Sequence, residues 1–345
     1  MIRIGLIGYG YWGPTLLRNF TINPLFEVIA VADASAARRA EVRRWSSTAR
    51  LLEAGEELIA LPDTDAVVIA TPVATHFQLA QQALKAGKHV LVEKPMCGTS
   101  DDARELISLA NAKERVLMVD HTFLFTGAVQ KIRKMVEQGE LGRISYIDSM
   151  RVNLGLFQPD VNVLWDLGPH DISIVDHILG EQPLHIEASG YCHVNSQLPD
   201  IAYLTMHYPS RIVVHLNLSW MSPVKVRRLA IGGSERMLVW DDLNSEEKIK
   251  IYNSGIDFHP PEARDVVVPG YRIGDIFSPR VPLREALAGV VEHFGKVITG
   301  EERSIMDGDS GLRVVSILEE AQKALDASLA QIGRLRENGL WAAVS

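Results

Sequence analysis

The chain has 345 residues, of which 47% are hydrophobic and 23% charged, and a formal net charge of −8 at pH 7. That length suits two domains, each able to bury its own core, and the acidic balance argues against a nucleic-acid partner, which demands a basic face. No stretch is apolar for long enough to span a bilayer, and Cys97 and Cys192 fit neither a disulfide framework nor a metal-ligand spacing.

The first apolar run, Ile2 to Ile7, reads as a buried parallel strand. It opens into Gly8-Tyr9-Gly10-Tyr11-Trp12-Gly13, which fits G-x-G-x-x-G, and Pro14 stands where a helix can begin. Gly8 permits the tight turn, Gly10 lets a pyrophosphate approach the backbone, and Gly13 lets a helix over Tyr11–Asn19 lie close to the strand, its free N–H groups facing the phosphates. A second run, Phe26 to Ala32, ends in Asp33, twenty residues past Gly13, where a dinucleotide fold places an acid on the adenosine ribose. Asp33 equally suits a helix N-cap before Ala34 to Arg44, and the two roles are compatible. Its charge repels the extra phosphate of NADP, which Arg38, Arg39, Arg43 and Arg44 would attract, so NAD is the expected cofactor and NADP the alternative. With a strand starting at Ile2 no leader is expected, and the expected location is the cytoplasm.

Strand and helix alternate through the first 120 residues. A short helix near Glu56 to Ala60 precedes the strand Ala66 to Ala70, which ends in Thr71-Pro72 at the expected carboxyl edge of the sheet. Phe77 to Ala86 reads as a helix stopped by Gly87. Val90 to Val92 is a strand that delivers Glu93-Lys94-Pro95. Thr99 and Asp102 cap a helix running to Ala112, and Val116 to Asp120 is the last strand of the unit.

From Gly142 the pattern turns antiparallel, with strands at Ile144–Val152, His185–Val194, Ile201–His207, Ile212–Ser219, Val224–Ile231 and Met237–Trp240. One helix, Pro169 to Leu179, is inserted early. Ser254 to Pro282 lacks a period, carries Phe258, Tyr271 and Phe277, and reads as a functional loop or an oligomer arm. Leu283–Ile298 and Leu312–Leu329 read as helices. The expected architecture is a Rossmann doubly wound parallel sheet over 1–121 (α/β), followed by a substrate and oligomerisation domain over 122–345 (α+β) built on a large open, mostly antiparallel sheet. The C-terminal helices are free to pack back on the first domain.

Such an arrangement implies a cleft with substrate against a nicotinamide. Lys94 leaves a strand at the sheet's carboxyl edge, and Asp166 and His170, four residues apart, share a helix face. Oxidising an alcohol requires a base near neutral pKa for the hydroxyl proton, which histidine supplies, and a cation near the same oxygen, which lysine supplies. Asp166 suits holding a neighbouring hydroxyl or biasing the imidazole. The plain alternatives are a trivial Lys-Pro pair, a helix-capping Asp-x-x-x-His, and a satisfied core histidine.

The chain resembles the Gfo/Idh/MocA oxidoreductases over nearly its whole length. The carriers are Gly8 to Gly13, Ala70-Thr71-Pro72-Val73-Ala74-Thr75-His76, Glu93-Lys94-Pro95 and Asp166-Leu167-Gly168-Pro169-His170-Asp171. The resemblance implies that Lys94 is the active-site lysine, His170 the acid/base and Asp166 its substrate-binding companion. Thr71, Pro72, His76, Glu93 and Lys94 would line the cofactor, with Tyr11 and Trp12 near the pyrophosphate or nicotinamide. His121 looks like a cofactor or substrate contact, and a cis Lys94–Pro95 bond is allowed. A homodimer or homotetramer through the open sheet is implied.

The stretch Arg151 to Gln158, with Asn153 in it, and the stretch Gly274 to Pro279 look like those of family members that oxidise nucleotide-activated sugars at C3, such as a UDP-N-acetylhexosamine. Arg151, Arg272 and Arg280 can receive a diphosphate or be surface arginines. Inositol and free sugars remain alternatives, because the same Lys/Asp/His set handles any secondary alcohol. A non-catalytic NAD-sensing protein is the alternative of a different class.

Overall fold

A computed structural model describes residues 1–155, 157–158, 160–195, 197–257 and 270–337. The chain divides into two units, one of residues 1–126 with 284–319, the other of residues 127–283 with the chain from 320.

The first unit opens with β1 (Ile2–Ile7), α1 (Gly13–Ile22), β2 (Phe26–Ala32), α2 (Ala36–Val42), β3 (Arg50–Leu52), α3 (Gly55–Ile59) and β4 (Ala66–Ile69). It continues through α4 (His76–Lys85), β5 (His89–Glu93), α5 (Ser100–Ala112) and β6 (Leu117–Asp120). The six strands are parallel in the order β3-β2-β1-β4-β5-β6. Ile4, Leu6, Ala66 to Ile69 and Val90 to Val92 are buried, as continuous apolar strands covered on both faces must be. The order reverses between β1 and β4, so their carboxyl ends open the crevice in which such sheets bind ligands.

The second unit holds α6 (Gly127–Glu137), β7 (Ile144–Leu154), α7 (Val163–Leu179), β8 (His185–Tyr191), β9 (Ile201–His207), β10 (Val213–Ser219) and β11 (Met221–Gly233). Then come β12 (Met237–Asp241), β13 (Ile249–Tyr252), β14 (Gly255–Asp257), β15 (Gly270–Arg272) and β16 (Ile276–Phe277). Eight strands form one sheet, β16-β13-β12-β11-β7-β10-β9-β8, antiparallel throughout except for the parallel pair β7–β10. Alternation sorts its faces: Ile147, Leu204, Val214, Leu216, Leu229 and Ile231 are buried, as are Leu164, Ile172 and Val175 of α7. Tyr146, Met150 and Tyr203 lie on the opposite, exposed face. Finally α8 (Ala286–Ile298) belongs to the first unit, where Phe294 stacks on Phe26 at 6.1 Å, and α9 (Gly308–Glu337) starts in that unit and ends in the second.

Several elements depart from the sequence reading. Helix α1 begins at Gly13 instead of Tyr11, because the glycine turn runs on to Trp12, the residue preceding the helix. Helix α7 begins at Val163, six residues before Pro169. Asn162 is its cap, with Oδ1 accepting from Leu164 N at 3.0 Å and Trp165 N at 3.2 Å. Pro169 sits inside the helix, where it removes one N–H bond and its ring crowds the carbonyl four residues back. The short edge strand β3, the strand β13 and the helix α6 lie outside the sequence reading, although α6 buries Ala128, Val129, Ile132 and Met135 at helical spacing and β13 alternates buried and half-buried residues. Ser254–Pro282 is not without structure: β14 pairs with β15, and β16 extends the large sheet. Phe258 lies outside the described residues. Among the described residues no helix is long and apolar enough to cross a membrane.

Candidate functional site

In the first unit the glycine turn has the form the motif demands. Gly8 has φ of +94°, and a Cβ there would lie 2.5 Å from Ala70 O; a Cβ on Gly13 would lie 2.7 Å from Gly8 O. Both positions therefore exclude larger residues. Gly10 meets nothing nearer than Arg38 Nη1, at 3.7 Å from an added Cβ, which leaves room for a ligand against its backbone. No side chain caps the N-terminus of α1, Tyr11 is exposed, and Trp12 is half-buried. An uncapped helix start at a carboxyl sheet edge fits a pyrophosphate.

Asp33 braces this turn. Its Oδ2 accepts from Tyr9 N at 2.7 Å and its Oδ1 from Ser35 N at 2.8 Å, while Arg38 Nη1 lies 3.8 Å from Oδ2. Ser35, not Asp33, is the N-cap of α2. A carboxylate keeps further lone pairs after two such bonds, so the geometry accommodates a ribose.

At the ends of β4 and β5 stand Thr71, Pro72, Glu93 and Lys94, the last in a cis peptide with Pro95. His76, expected against the cofactor, stands beneath this edge. Its ring is 1% exposed and lies between two carbonyls, Nδ1 2.9 Å from Pro95 O and Nε2 2.8 Å from Thr71 O. It ties the Thr71 turn to the Lys94–Pro95 turn from inside the protein. Burial is the main cause that lowers its pKa, against the pull of the two carbonyls.

Glu93 and Asp120 face each other across neighbouring strands, since β5 and β6 pair Glu93 with Asp120. Burial, and then the Asp120 charge, push the Glu93 carboxyl well above its ordinary range. Burial raises Asp120 as well, but hydrogen bonds from Thr122, Glu93 and the Trp12 side chain oppose it; Thr122 Oγ1 lies 2.5 Å from Oδ1. The pair therefore holds a proton, with Glu93 donating to Asp120. Next to it, His121 is 1% exposed, no described group bonds either ring nitrogen, and burial pushes its pKa down to about 3. Orphaned, buried and neutral, that imidazole beside the carboxyl edge is suited to a polar ligand group such as a carboxamide. Sequence reasoning missed Asp120; an acid ending a predicted buried strand was the available signal.

In the second unit, α7 leaves the carboxyl end of β7 and carries Asp166 and His170 one turn apart, both half-buried. Asp166 Oδ2 accepts the indole N–H of Trp220 at 3.1 Å. Asn153 lies one residue before the end of β7 and donates Nδ2 to Leu154 O at 3.2 Å. Arg151 is not placed for a diphosphate: it is 3% exposed, with Nε 2.5 Å from Asp171 Oδ2 and Nη2 3.2 Å from Oδ1. Ser149 adds a third bond to Asp171 at 3.0 Å. Arg272, another expected diphosphate contact, pairs with Glu235 at 3.8 Å.

Two family models match the chain: the oxidoreductase family with an NAD-binding Rossmann fold over residues 2–121, and the GFO/IDH/MocA C-terminal domain over residues 129–239. A UDP-N-acetylglucosamine 3-dehydrogenase of Acidithiobacillus ferrooxidans is 29% identical over 95% of this chain and 98% of its own length. A solved structure of that enzyme superposes with a TM-score of 0.80 at 27% identity, over 95% of this chain and 99% of the other. A scyllo-inositol 2-dehydrogenase (NADP(+)) of Bacillus subtilis is 27% identical over 71% of this chain and 70% of its own length. With both of its domains matched and the glycine turn, Glu-Lys-Pro and Asp-x-x-x-His residues seated as described, this chain belongs to the Gfo/Idh/MocA family of NAD-binding oxidoreductases.

Proposed function

We propose that the protein oxidises a secondary hydroxyl of a nucleotide-activated amino sugar, a UDP-N-acetylhexosamine at C3, with NAD as hydride acceptor. The observation that carries this reading is the Asp166–His170 pair on one face of α7, at the carboxyl end of β7. The near full-length similarity to a UDP-N-acetylglucosamine 3-dehydrogenase supports the substrate class. The bound dinucleotide supplies the acceptor for the hydride leaving carbon. In this reading His170 takes the proton of the hydroxyl, Lys94 stabilises the developing negative charge on that oxygen, and Asp166 binds a neighbouring hydroxyl. Gly8, Gly10, Gly13 and the start of α1 hold the pyrophosphate, with Tyr11 and Trp12 alongside, and Asp33 holds the adenosine ribose. Thr71, Pro72, Glu93 and His121 border the nicotinamide, and Asn153 adds a substrate contact.

Purified protein incubated with NAD and UDP-N-acetylglucosamine is expected to generate NADH, and His170→Ala is expected to abolish turnover while leaving NAD binding intact. The same assay with inositols, free sugars and NADP decides between the sugar classes and between the dinucleotides. NAD binding without turnover of any alcohol, or of any ketose with NADH, would overturn the enzyme in favour of a sensor. The open sheet face with Tyr146, Met150 and Tyr203 supports assembly as a homodimer or homotetramer, which sedimentation measures.

A further inference from the structure

Trp220 lies between β10 and β11 and is 1% exposed. Three separate segments meet on it. Its amide N–H donates to Asp200 O at 3.0 Å, next to the start of β9. Its carbonyl accepts from Gly155 N at 3.1 Å, at the exit of β7. Its indole N–H donates to Asp166 Oδ2 at 3.1 Å, in the first turn of α7.

The ring adds packing to these bonds. Phe157 stands edge-on to it, with centroids 5.5 Å apart. At Gly155 an added Cβ would lie 2.5 Å from Trp220 Cδ1, so the segment after β7 rests directly on the indole. Asp200, which holds the Trp220 backbone, is itself fixed: its carboxylate accepts from His193 N, Val194 N and His193 Nδ1 at 2.7, 2.8 and 2.7 Å.

Packing alone does not account for the indole nitrogen. A phenyl ring would fill most of the same apolar space, whereas the N–H makes a charge-assisted bond to a carboxylate 54 residues away in sequence. Such a bond fixes the plane of the carboxylate and leaves its remaining lone pairs in a set direction. The same ring supports Gly155, just past β7, and Phe157.

We propose that Trp220 is a positioning residue for sugar oxidation: its indole N–H orients the Asp166 carboxylate and its ring supports Gly155 and Phe157, so that the carboxylate is presented in fixed register one turn from His170. The inference rests on the reading of Asp166 as the group that binds a substrate hydroxyl. It adds a residue that acts on the sugar through Asp166 without touching the reacting atoms.

The test uses Trp220→Phe, which keeps an aromatic ring and removes the donor. NAD affinity, measured by calorimetry, is expected to stay at the wild-type value. The kcat/KM for UDP-N-acetylglucosamine is expected to fall about tenfold or more, the scale of one hydrogen bond to a charged group. The loss is expected in KM more than in kcat, because Asp166 binds a neighbouring hydroxyl and does not carry the proton. A variant with wild-type kcat/KM would overturn the inference.

A second readout requires neither turnover nor a folded Trp220 variant. In protein labelled with 15N-tryptophan, one indole N–H resonance is expected to shift as Asp166 titrates, and that shift is expected to vanish in Asp166→Asn. If the wild-type protein oxidises no sugar, the proposed function fails while this titration still decides whether the indole holds the carboxylate. If no indole resonance responds to Asp166→Asn, the Trp220 inference fails whatever the activity.

Discussion

Arg151 and Asp171 form a bidentate ion pair inside the second unit, with Nε 2.5 Å from Oδ2 and Nη2 3.2 Å from Oδ1 and both side chains under 5% exposed. One partner comes from β7 and the other from α7, so the pair fixes how the helix bearing Asp166 and His170 sits on its sheet. Ser149, also on β7, bonds the same carboxylate. Breaking a buried pair from one side strands the other charge.

Asp171→Ala is therefore expected to lower unfolding free energy by about 3–5 kcal/mol, read from denaturant midpoints. A variant as stable as the wild type would show that the guanidinium finds another partner. Because Arg151 is held by this pair, the diphosphate of the proposed nucleotide sugar would be met by other groups.

The Glu93–Asp120 pair makes a pH prediction of definite sign. Glu93 keeps its proton in the folded protein, since burial and then Asp120 raise its pKa well above the ordinary value. The unfolded chain releases that proton above about pH 4.5. The folded state then binds more protons than the unfolded, so stability declines as pH rises from that point toward the folded pKa. Glu93→Gln preserves a neutral donor to Asp120 and removes the penalty. Its melting temperature is expected to match the wild type near pH 4 and to exceed it by several degrees near pH 8. Equal offsets at both pH values would mean that Glu93 is ionised in the folded protein.

Local pattern carried the first unit far. The strand, the glycine turn, Asp33 at its set distance, the Thr99 cap and the Lys94 turn each depend on residues close in sequence, and each is found in the structure. The site residues that escaped notice depend on distant partners. Asp120 acquires its role from the register of β5 and β6. Trp220 meets Asp166 only because β10 runs parallel to β7 and ends near the start of α7. Arg151 looked like an anion receptor because nothing in its own strand announces an aspartate twenty residues on, in the following helix. Pro169 looked like a helix start because proline is common there, yet Asn162 had already capped the helix.

Buried histidines give the opposite slope at acid pH. Burial pushes His121 down to about 3 and His89 down to about 4, and lowers His76 and His177 as well. Below about pH 6.5 the unfolded chain takes up protons that these folded imidazoles refuse, so stability falls as pH drops toward the folded values. His89 Nδ1 accepts from Val116 N at 3.0 Å. His89→Asn offers an oxygen near the same place and does not protonate. Its melting temperature is expected to fall less steeply between pH 7 and pH 5 than that of the wild type. Parallel curves would mean that His89 is not held neutral by the fold.

In the proposed reading, cofactor choice turns on Asp33 and its neighbour. Arg38 Nη1 lies 3.8 Å from Asp33 Oδ2 and also borders Gly10, so the basic group nearest the expected ribose is engaged by the acid. Asp33→Asn retains an oxygen for the Tyr9 N–H, now made at 2.7 Å, and removes the negative charge. That change releases Arg38 toward a 2′-phosphate and ends the repulsion such a phosphate would meet. The ratio of kcat/KM with NADP to that with NAD is expected to rise about tenfold or more. Loss of both activities in equal measure would instead mean that the carboxylate acts by bracing the glycine turn, and that selection between the dinucleotides lies elsewhere.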